Sequence, residues 1–375
     1  MKNNNNIKKV AIFCDFLNSL GGCEYYNVLL AKCLASRGIE VRVYIGEKPR
    51  SDHWIKELAK DNIYFRTPKI FHTNLEDRTI ETDFILKYTE DIKKWSPDII
   101  HTHPFGKLAI SWLENKTSNK KIPIVVTEYT TPSSNTLHWF NKEYGKYSSH
   151  ISAYIATCRA VELGVKKYFG YKGKIIRIPH LVVLGKDENI NFNNIFSVGC
   201  IARLSPEKGL SSLILAWYFL SKKNPKATLC IYGTGMGELY LKGLVNSLNL
   251  GDKIIFKGAY KPYVGINKVV KRHQLFIQPS HFESIPTTLI ELMLRQRIVL
   301  ASNVGGVSEI IKNNKNGFVY KNGSVESLAE TLNKIFKKKK KNLRDIAINA
   351  RTNTLKTYNL KNNIDAIIKL YNDLI

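Results

Sequence analysis

The stretch "LFIQPSHFESIPTTLIELML", Leu275 to Leu294, runs from an apolar segment through a polar loop into a helical pattern. The apolar start predicts a strand, and Pro286 suits the first turn of the following helix. Glu283 therefore lies in the loop and Glu291 on the helix. A strand that leads through a loop into a helix is the repeating unit of a parallel α/β sheet. The two acids are either ordinary loop and surface residues or parts of a binding site, since buried carboxylates are costly unless partnered.

The same unit recurs along most of the chain. In the first half the predicted strands are "KKVAIFCDF", "EVRVYIG", "DIIHTH", "PIVVTEY", "AYIATC" and "KIIRIPH"; in the second half they are "IFSVGCIA", "ATLCIYG", "KIIFKGA", "LFIQPS", "IVLASN" and "GFVY". The polar, asparagine-rich "GKDENINFNN" separates the halves. We predict two doubly wound α/β domains, residues 1–185 and 186–355, and a C-terminal helix, 356–375, that packs back on the first domain. Ligands of such sheets bind beyond the carboxyl ends of the strands, so we expect the site in the cleft between the domains.

The composition is typical of a folded intracellular protein. The chain has 375 residues, of which 44% are hydrophobic and 23% charged. Its six cysteines form no C-x-x-C pair and no Cys/His cluster with zinc-ligand spacing, which predicts reduced core thiols and no metal site. Neither a signal segment nor a membrane-spanning apolar run is evident, so we expect a cytoplasmic protein.

A net charge of +26 points to an anionic partner. The basic excess is +10 over residues 1–185 (28 basic against 18 acidic residues) and +16 over 186–375 (29 against 13). No zinc finger, RNA-binding aromatic signature or basic zipper is present, so we expect no specific nucleic-acid partner. Two basic segments with aromatic residues, "SDHWIKELAK" with Trp54 and "LHWFNKEYGKY", predict contact with an anionic membrane surface, on its inner face; ordinary helices packed by an aromatic residue are the alternative.

Glycines and cations follow several predicted strands. Gly21 and Gly22 stand between the first strand and its helix, where a backbone can approach an anion, although the pattern is not a dinucleotide fingerprint. Arg203 and Lys208 flank a Ser-Pro turn before a helix, a pattern typical of a diphosphate site or of an ordinary surface loop. Gly233 ends the strand "ATLCIYG" in a turn that could approach a nucleotide or sugar.

The loop and helix around the two glutamates suit a nucleotide bearing a sugar. Backbone amides from Ser284 to Leu289 surround a helix N-terminus, which attracts anions. A helix carboxylate such as Glu291 can accept hydrogen bonds from the two vicinal hydroxyls of a ribose. A loop carboxylate such as Glu283, beside a diphosphate, can hold sugar hydroxyls.

These blocks together resemble one family. They are Gly199, Arg203-Leu204, Glu207-Lys208-Gly209, Pro279-Ser280, Phe282-Glu283, Pro286, Glu291, Gly305-Gly306, Glu309 and Asn316-Gly317-Phe318. In this order and spacing the chain resembles the family 4 retaining glycosyltransferases of the GT-B fold, the glycosyl transferases group 1. The resemblance implies two Rossmann-like domains that face a central cleft, the first binding the acceptor and the second the nucleotide-sugar donor.

The resemblance also implies an activity. It implies a metal-independent hexosyltransferase, with no cofactor, that moves a sugar with retention of configuration from a nucleoside diphosphate, expected to be UDP. The expected acceptor is a glycan or lipid-linked precursor in the synthesis of cell-surface polysaccharide, lipopolysaccharide or glycolipid. Implied catalytic residues are Glu283, Arg203, Lys208 and His103, and implied donor-binding residues are Gly21, Gly22, Arg203, Lys208, Gly233, Gly258, Glu283, Ser284, Ile285, Leu289 and Glu291. The nucleotide base is expected between Gly258 and Pro262.

The chain departs from the family pattern at two places. Tyr129 in "VVTEY" stands where many members have a histidine near the sugar, and His180 with Leu181 replaces the usual Asn-Gly. His103 in "HTHPF" lies at a strand end and is an alternative histidine for the site. Two other functions stay open: a non-catalytic GT-B subunit that binds a partner glycosyltransferase, and a nucleotide-sugar epimerase on the same fold. A third function, nucleic-acid binding, is favoured only by the net charge.

Overall fold

The protein forms two compact units, each built on its own parallel sheet. The computed structural model describes residues 6–15, 17, 21–49, 51–68, 82–103, 106–115, 121–132, 147–185, 192, 195–259 and 264–375. The first unit comprises Met1–Leu181 with Asn359–Ile375, and the second comprises Val182–Tyr358. Each unit is described by itself below.

The first unit contains a seven-stranded sheet. Its strands are β1 Lys9–Cys14, β2 Glu40–Ile45, β3 Tyr64–Arg66, β4 Ile99–His103, β5 Ile124–Glu128, β6 Ile151–Ala156 and β7 Lys174–Arg177. The intervening helices are α1 Gly22–Ala35, α2 His53–Lys60, α3 Thr82–Trp95, α4 Lys107–Asn115 and α5 Arg159–Tyr168, with a short 3-10 turn at Ser148–His150. β1, β4 and β5 are almost fully buried along their length, as expected of parallel strands covered on both faces.

The strand order of this sheet defines where a ligand can bind. The order is β3-β2-β1-β4-β5-β6-β7, with every pair parallel. The chain winds outward from β1 in one direction and from β4 in the other, so the direction reverses between these two strands. Their last residues, Cys14 and His103, are register partners. Ligands of doubly wound sheets bind at such a reversal, beyond the carboxyl ends of the strands.

The second unit contains a six-stranded sheet of the same design. Its strands are β8 Ser197–Ile201, β9 Thr228–Tyr232, β10 Ile254–Phe256, β11 Leu275–Gln278, β12 Ile298–Ser302 and β13 Phe318–Tyr320. Its helices are α6 Leu210–Lys223, α7 Glu238–Ser247, α8 Val264–Val270, α9 Thr287–Leu294, α10 Val307–Ile310, α11 Val325–Phe336 and α12 Lys340–Thr357, with a 3-10 turn at Pro206–Lys208. The order β10-β9-β8-β11-β12-β13 reverses between β8 and β11. Those strands lead into the two polar loops that the sequence singles out.

The last helix, α13 Leu360–Asn372, belongs to the first unit. Its buried face includes Ile364, Ile367 and Tyr371. Asp365 forms an ion pair with Arg37, and the Tyr371 hydroxyl contacts the His101 ring nitrogen Nδ1. Apolar burial and these polar contacts together attach the helix to the first unit.

The architecture confirms the predicted class of two doubly wound α/β sheets. Each strand that the sequence predicts is present. The additional strand, β3, has three residues at the edge of its sheet, and a run that short gives no clear period. The six cysteines are not joined in disulfides, but Cys23 is exposed and Cys33 half-buried, so the expectation of core thiols is wrong for these two.

The membrane-docking interpretation of α2 loses its apolar anchor. Docking on a membrane requires Trp54 on the surface, but its side chain is only 1% exposed because the amphipathic helix turns it into the unit. Of the second basic segment, Leu137 to Lys146 lies outside the described residues, and Tyr147 is buried. Within the described ranges, no helix combines the length and apolar character needed to cross a bilayer.

Candidate active site

The loops after β8 and β11 bring two distant motifs together in the second unit. Lys208, at the end of the 3-10 turn after β8, forms an ion pair with the Oε1 atom of Glu283. The same oxygen accepts a hydrogen bond of 3.0 Å from the Ser280 hydroxyl. Both side chains are largely buried, with 17% and 14% of their surfaces exposed. A cation and a carboxylate are therefore held at the reversal of the sheet, where the sequence predicts the diphosphate and sugar.

The paired glycines after β12 hold the Glu283 loop in place. The Gly306 amide donates to the Ser284 carbonyl at 2.6 Å. A Cβ atom on Gly305 would lie 1.9 Å from the Glu283 carbonyl oxygen, and the φ angle of this residue is +50°. Only glycine allows both the close approach and this backbone conformation. The glycine turn is thus a backbone support for Glu283.

Glu291 is a buried carboxylate that receives no hydrogen bond from the described residues. The residue is 8% exposed, and no described side chain or amide donates to its carboxylate oxygens. Burial raises the pKa of Glu291 to about 7, against the opposing charge of Arg295. Arg295 itself donates to the backbone carbonyl of Glu291 and to Asn267, each at 3.0 Å. A buried acid in this state is stabilised by any ligand that donates hydrogen bonds to it.

The N-terminus of α9 offers part of the predicted amide cradle. In the described part of the chain, the amides of Ile285, Thr287 and Thr288 make no hydrogen bond. The Leu289 amide donates to the Pro286 carbonyl at 3.0 Å and is therefore occupied within the first turn. Ser284 contributes its carbonyl to the glycine turn. Free amides at a helix N-terminus favour an anion, here next to Glu283.

Arg203 stands apart from the Lys208–Glu283 pair. Its guanidinium is exposed and lies 3.3 Å from Glu207, whose carboxylate also accepts from the Ser205 hydroxyl at 2.6 Å. An exposed arginine on a loop is able to turn toward an incoming anion.

The two predicted glycines after β9 and β10, Gly233 and Gly258, differ in their surroundings. A Cβ atom on Gly233 would lie 1.9 Å from the Ala202 carbonyl oxygen, so close packing of two loops already explains this residue. Its amide donates to the Gly258 carbonyl at 2.8 Å. Gly258 has a φ angle of +71° and open space around it. Of the segment expected to contact the base, residues 260–262 lie outside the described residues.

The first unit places His103 in a buried hydrogen-bonded group at its own sheet reversal. The Nδ1 atom of His103 lies 2.6 Å from the Tyr129 hydroxyl, which donates to the Asn27 Oδ1 atom at 2.8 Å. Burial lowers the pKa of His103 well below its usual value, and the neighbouring His101 lowers it further. Gly21 and Gly22 lie at the start of α1, the helix that carries Asn27. Tyr129 is 5% exposed, so its hydroxyl is engaged inside the unit.

Two strand-end acids were missed by the sequence reasoning. Glu128 accepts hydrogen bonds from the amides of Tyr129 and Thr130, at 3.0 and 2.9 Å, and so fixes the turn that carries Tyr129. Asp15 accepts from the amides of Lys107 and Leu108, at 2.8 and 3.1 Å, at the N-terminus of α4. The available signal was an acid at the carboxyl end of a buried strand, directly after β1 in "FCDF" and as the last residue of β5 in "VVTEY". Among the described residues, no group of three His, Cys, Asp or Glu side chains is arranged to hold a metal ion.

Comparison with known proteins assigns the chain to a family. The model "Glycosyl transferases group 1" matches residues 186–353, and the model "Glycosyltransferase Family 4" matches residues 20–185. The chain belongs to this family of glycosyltransferases, enzymes that use nucleotide-sugar donors, and the resemblance read from the motifs is confirmed.

Several bacterial proteins are similar to this chain. A Haemophilus influenzae glycosyltransferase is 25% identical over 87% of this chain and 90% of its own length. The Escherichia coli UDP-Gal:alpha-D-GlcNAc-diphosphoundecaprenol alpha-1,3-galactosyltransferase is 23% identical over 76% of this chain and 77% of its own. The crystal structure of Anabaena HepE in complex with UDP-glucose superposes with a TM-score of 0.77, 19% identity and coverage of 97% of this chain and 99% of that one. The last likeness supports the fold.

Proposed function

We propose that this enzyme transfers a hexose from a UDP-sugar, with retention of configuration, to a glycan or lipid-linked acceptor in the assembly of a cell-surface polysaccharide, lipopolysaccharide or glycolipid. The observation that carries the proposal is the buried carboxylate of Glu291, which receives no hydrogen bond from the described residues and lies on the helix after the loop of Glu283, the ion-pair partner of Lys208. A nucleotide sugar brings what these groups require: ribose hydroxyls for Glu291, a diphosphate for Lys208 and sugar hydroxyls for Glu283.

The proposed roles follow from charge and position. Lys208 and the exposed Arg203 bind the diphosphate and stabilise the negative charge that grows on it as the bond to the sugar breaks. The free amides of Ile285 and of the first turn of α9 add partial positive charges that stabilise the same diphosphate. Glu283 holds the sugar and places its negative charge near the positive charge that develops on the ring.

When the donor binds, the Lys208 ammonium group must interact with two anions at once, the Glu283 carboxylate and the diphosphate. In the structure without ligand it is paired with Glu283. A diphosphate that reaches Lys208 forms a second ion pair with the same ammonium group, which has three donors. Glu283 keeps the Ser280 hydroxyl as a partner and gains freedom to accept from a sugar hydroxyl.

The acceptor class and the base of the nucleotide are proposed from the relatives. The Escherichia coli relative takes its galactose from UDP and acts on a diphosphoundecaprenol-linked sugar, and Anabaena HepE was crystallised with UDP-glucose. We propose the same chemical classes here, with the predicted first domain, residues 1–185, binding the acceptor and the predicted second domain, 186–355, binding the donor. The residue-by-residue site stays a prediction.

The test is calorimetric titration of the purified protein with UDP, UDP-glucose, UDP-galactose, UDP-N-acetylglucosamine and GDP-mannose. We expect one UDP-sugar to bind, and Lys208→Ala and Glu291→Ala to weaken it at least tenfold. Lys226→Ala and Glu330→Ala, which change exposed residues of the same unit, are the matched controls. Failure of every nucleotide to bind folded protein would favour the accessory-subunit function.

A second measurement separates the transferase from the epimerase. Incubation of the bound donor without acceptor should leave its sugar unchanged apart from slow hydrolysis, whereas an epimerase would convert it. With an acceptor, the anomeric configuration of the product, read by proton NMR, decides between retention and inversion.

We also propose a peripheral, cytoplasmic location at an anionic membrane. The support is the net charge of +26 and the lipid-linked acceptor of a relative, since the buried Trp54 removes one proposed anchor. Flotation with vesicles containing phosphatidylglycerol should carry the protein at low salt and release it at high salt. No flotation at low salt would refute the location.

A further inference from the structure

Three side chains from different elements form a buried hydrogen-bonded chain in the first unit. Asn27 comes from α1, Tyr129 follows β5, and His103 is the last residue of β4. The Tyr129 hydroxyl lies 2.8 Å from Asn27 Oδ1 and 2.6 Å from His103 Nδ1. The hydroxyl group of Tyr129 thus links two residues, Asn27 and His103, that are distant from it in sequence.

The direction of each hydrogen bond fixes where the protons lie. Asn27 Oδ1 is an acceptor only, so the single proton of the Tyr129 hydroxyl points to it. The hydroxyl oxygen then accepts the second bond, and the Nδ1 atom of His103 must supply the proton. A neutral imidazole has one ring proton, and this one is therefore on Nδ1. The Nε2 atom is left with a lone pair.

That lone pair is buried and has no partner. The His103 residue is 4% exposed, and its Nε2 atom makes no hydrogen bond to any described residue. An unsatisfied buried acceptor destabilises a fold unless it serves a ligand. His103 ends β4 opposite Cys14 of β1, at the reversal of the sheet, and the Gly21-Gly22 turn follows β1. The position is the one at which doubly wound sheets bind ligands.

We propose that His103 Nε2 accepts a hydrogen bond from a hydroxyl group of a sugar substrate, and that Tyr129 and Asn27 are positioning residues that select the required tautomer. The proposal rests on the proposed transferase function. An acceptor nitrogen needs a partner with a proton to donate; the diphosphate diester of a nucleotide sugar has no such proton, and its negative charge would be repelled by the lone pair. Sugar hydroxyls are the donors that the nucleotide sugar and the glycan acceptor share.

A purely structural role makes different predictions. His103 also stacks on His101, with ring centroids 4.1 Å apart, and on Tyr129 at 5.5 Å. If packing were its whole role, either tautomer would serve, and any loss of activity in variants would follow a loss of stability.

The first experiment reads the tautomer directly in the full-length protein without ligand. Nitrogen-15 NMR of histidine-labelled protein, with His103 assigned by its absence in His103→Phe, should show a proton on Nδ1 and none on Nε2. Tyr129→Phe keeps the ring but removes the acceptor, and should move the proton to Nε2. Tyr171→Phe is the matched control, because its hydroxyl donates to the Ile151 carbonyl elsewhere in the unit. A proton on Nε2 in the unaltered protein would overturn the proposal.

The second experiment identifies the source of the hydroxyl. A change in the Nε2 resonance with UDP-glucose that UDP alone does not cause would assign the donor sugar. A change with methyl glycosides of glucose, galactose or N-acetylglucosamine, added in the presence of UDP, would assign the acceptor. No change with either, in protein that binds UDP, would refute the proposal. If no nucleotide bound at all, the transferase function would fail, while the tautomer measurement would still stand.

Kinetics give an independent check. Tyr129→Phe should lower kcat/KM about tenfold without lowering the melting temperature beyond that of Tyr171→Phe. If the KM of only one substrate changes, that substrate supplies the hydroxyl that donates to His103. Equal activity of Tyr129→Phe and Tyr171→Phe would refute the positioning role.

Discussion

At the scale of single residues, the protonation of one carboxyl group matters most in the second unit. Glu291 is buried on α9 without a donor to its carboxylate among the described residues, and its pKa is raised to about 7 by burial. The group is therefore divided between its neutral and charged forms near neutral pH. A raised carboxyl pKa is also a statement about stability, because the folded state holds a proton that the unfolded state releases.

The Glu291→Gln variant should change how stability depends on pH. With a pKa raised from 4.5 to about 7, the folded protein loses stability as pH rises through this window, by about 3 kcal/mol in all. Glutamine carries no charge and should remove that part of the slope. Urea denaturation at pH 5 and pH 8 measures the difference, and Glu330→Gln on the surface is the control. An unchanged slope in Glu291→Gln would mean that the carboxyl is not perturbed.

Donor binding should release a proton from the same group. Ribose hydroxyls that donate to Glu291 favour its charged form, so they lower its pKa and release a proton between about pH 5 and pH 7. Calorimetric titration with UDP at pH 6 in two buffers of different ionisation enthalpy measures the number of protons. The release should vanish in Glu291→Gln. An equal release in that variant would place the titrating group elsewhere.

At the scale of elements, the loops of the second unit support one another through backbone contacts. The Gly305-Gly306 turn after β12 holds the Glu283 loop after β11, and Gly233 after β9 packs against the loop after β8. Four strand ends therefore share one network at a single edge of the sheet. Such a network positions side chains more firmly than separate loops would.

The Gly305→Ala variant should disturb this edge. The added Cβ atom would collide with the Glu283 carbonyl oxygen, so the Glu283 loop must shift, at a cost of about 1–3 kcal/mol in stability. Donor affinity should fall more than the change in stability alone explains. Gly243→Ala is the control, because its position in α7 has open space and should tolerate or favour alanine. Thermal unfolding and UDP titration of both variants test this; normal donor affinity in Gly305→Ala would show that the turn does not position the site.

The sequence predicts the elements well because buried parallel strands leave long apolar runs. β1, β4 and β12 are examples, whereas β3 is too short to show a period. The candidate residues of the loops after β8 and β11 also stand out in the sequence, since they lie in local motifs. What sequence spacing cannot supply is the contact of Tyr129 with Asn27, 102 positions away, or the pairing of Lys208 with Glu283 across 75 positions. These depend on which strands become neighbours.

At the scale of the whole molecule, the chain begins and ends in the same unit. Residues Asn359–Ile375 join the first unit after the second has been completed. The first unit therefore lacks part of its buried surface until the last residues are in place. α13 supplies Ile364, Ile367, Ile368 and Tyr371 to that surface.

Deletion of residues 359–375 should unfold the first unit. Loss of several buried apolar side chains, each worth about 1.5–3 kcal/mol, removes as much free energy as a typical domain has in reserve. We expect a large loss of native tryptophan fluorescence from Trp54 and Trp112, both buried in this unit. The milder Tyr371→Phe variant, which loses only the contact with His101, should fold and melt at a lower temperature. A deletion variant as stable as the full chain would contradict the prediction.

The hydrogen bond between the Ile7 amide and the Asn372 side chain, 3.3 Å long, has a mechanical consequence. It joins the two ends of the described chain within one unit, while the second unit is inserted between Val182 and Tyr358. A stretching force applied to the two termini would be borne first by β1 and α13. The second unit would carry no tension until one of these had been pulled away. In an optical trap, the first unfolding event should therefore occur in the first unit, and the second unit should unfold only afterwards.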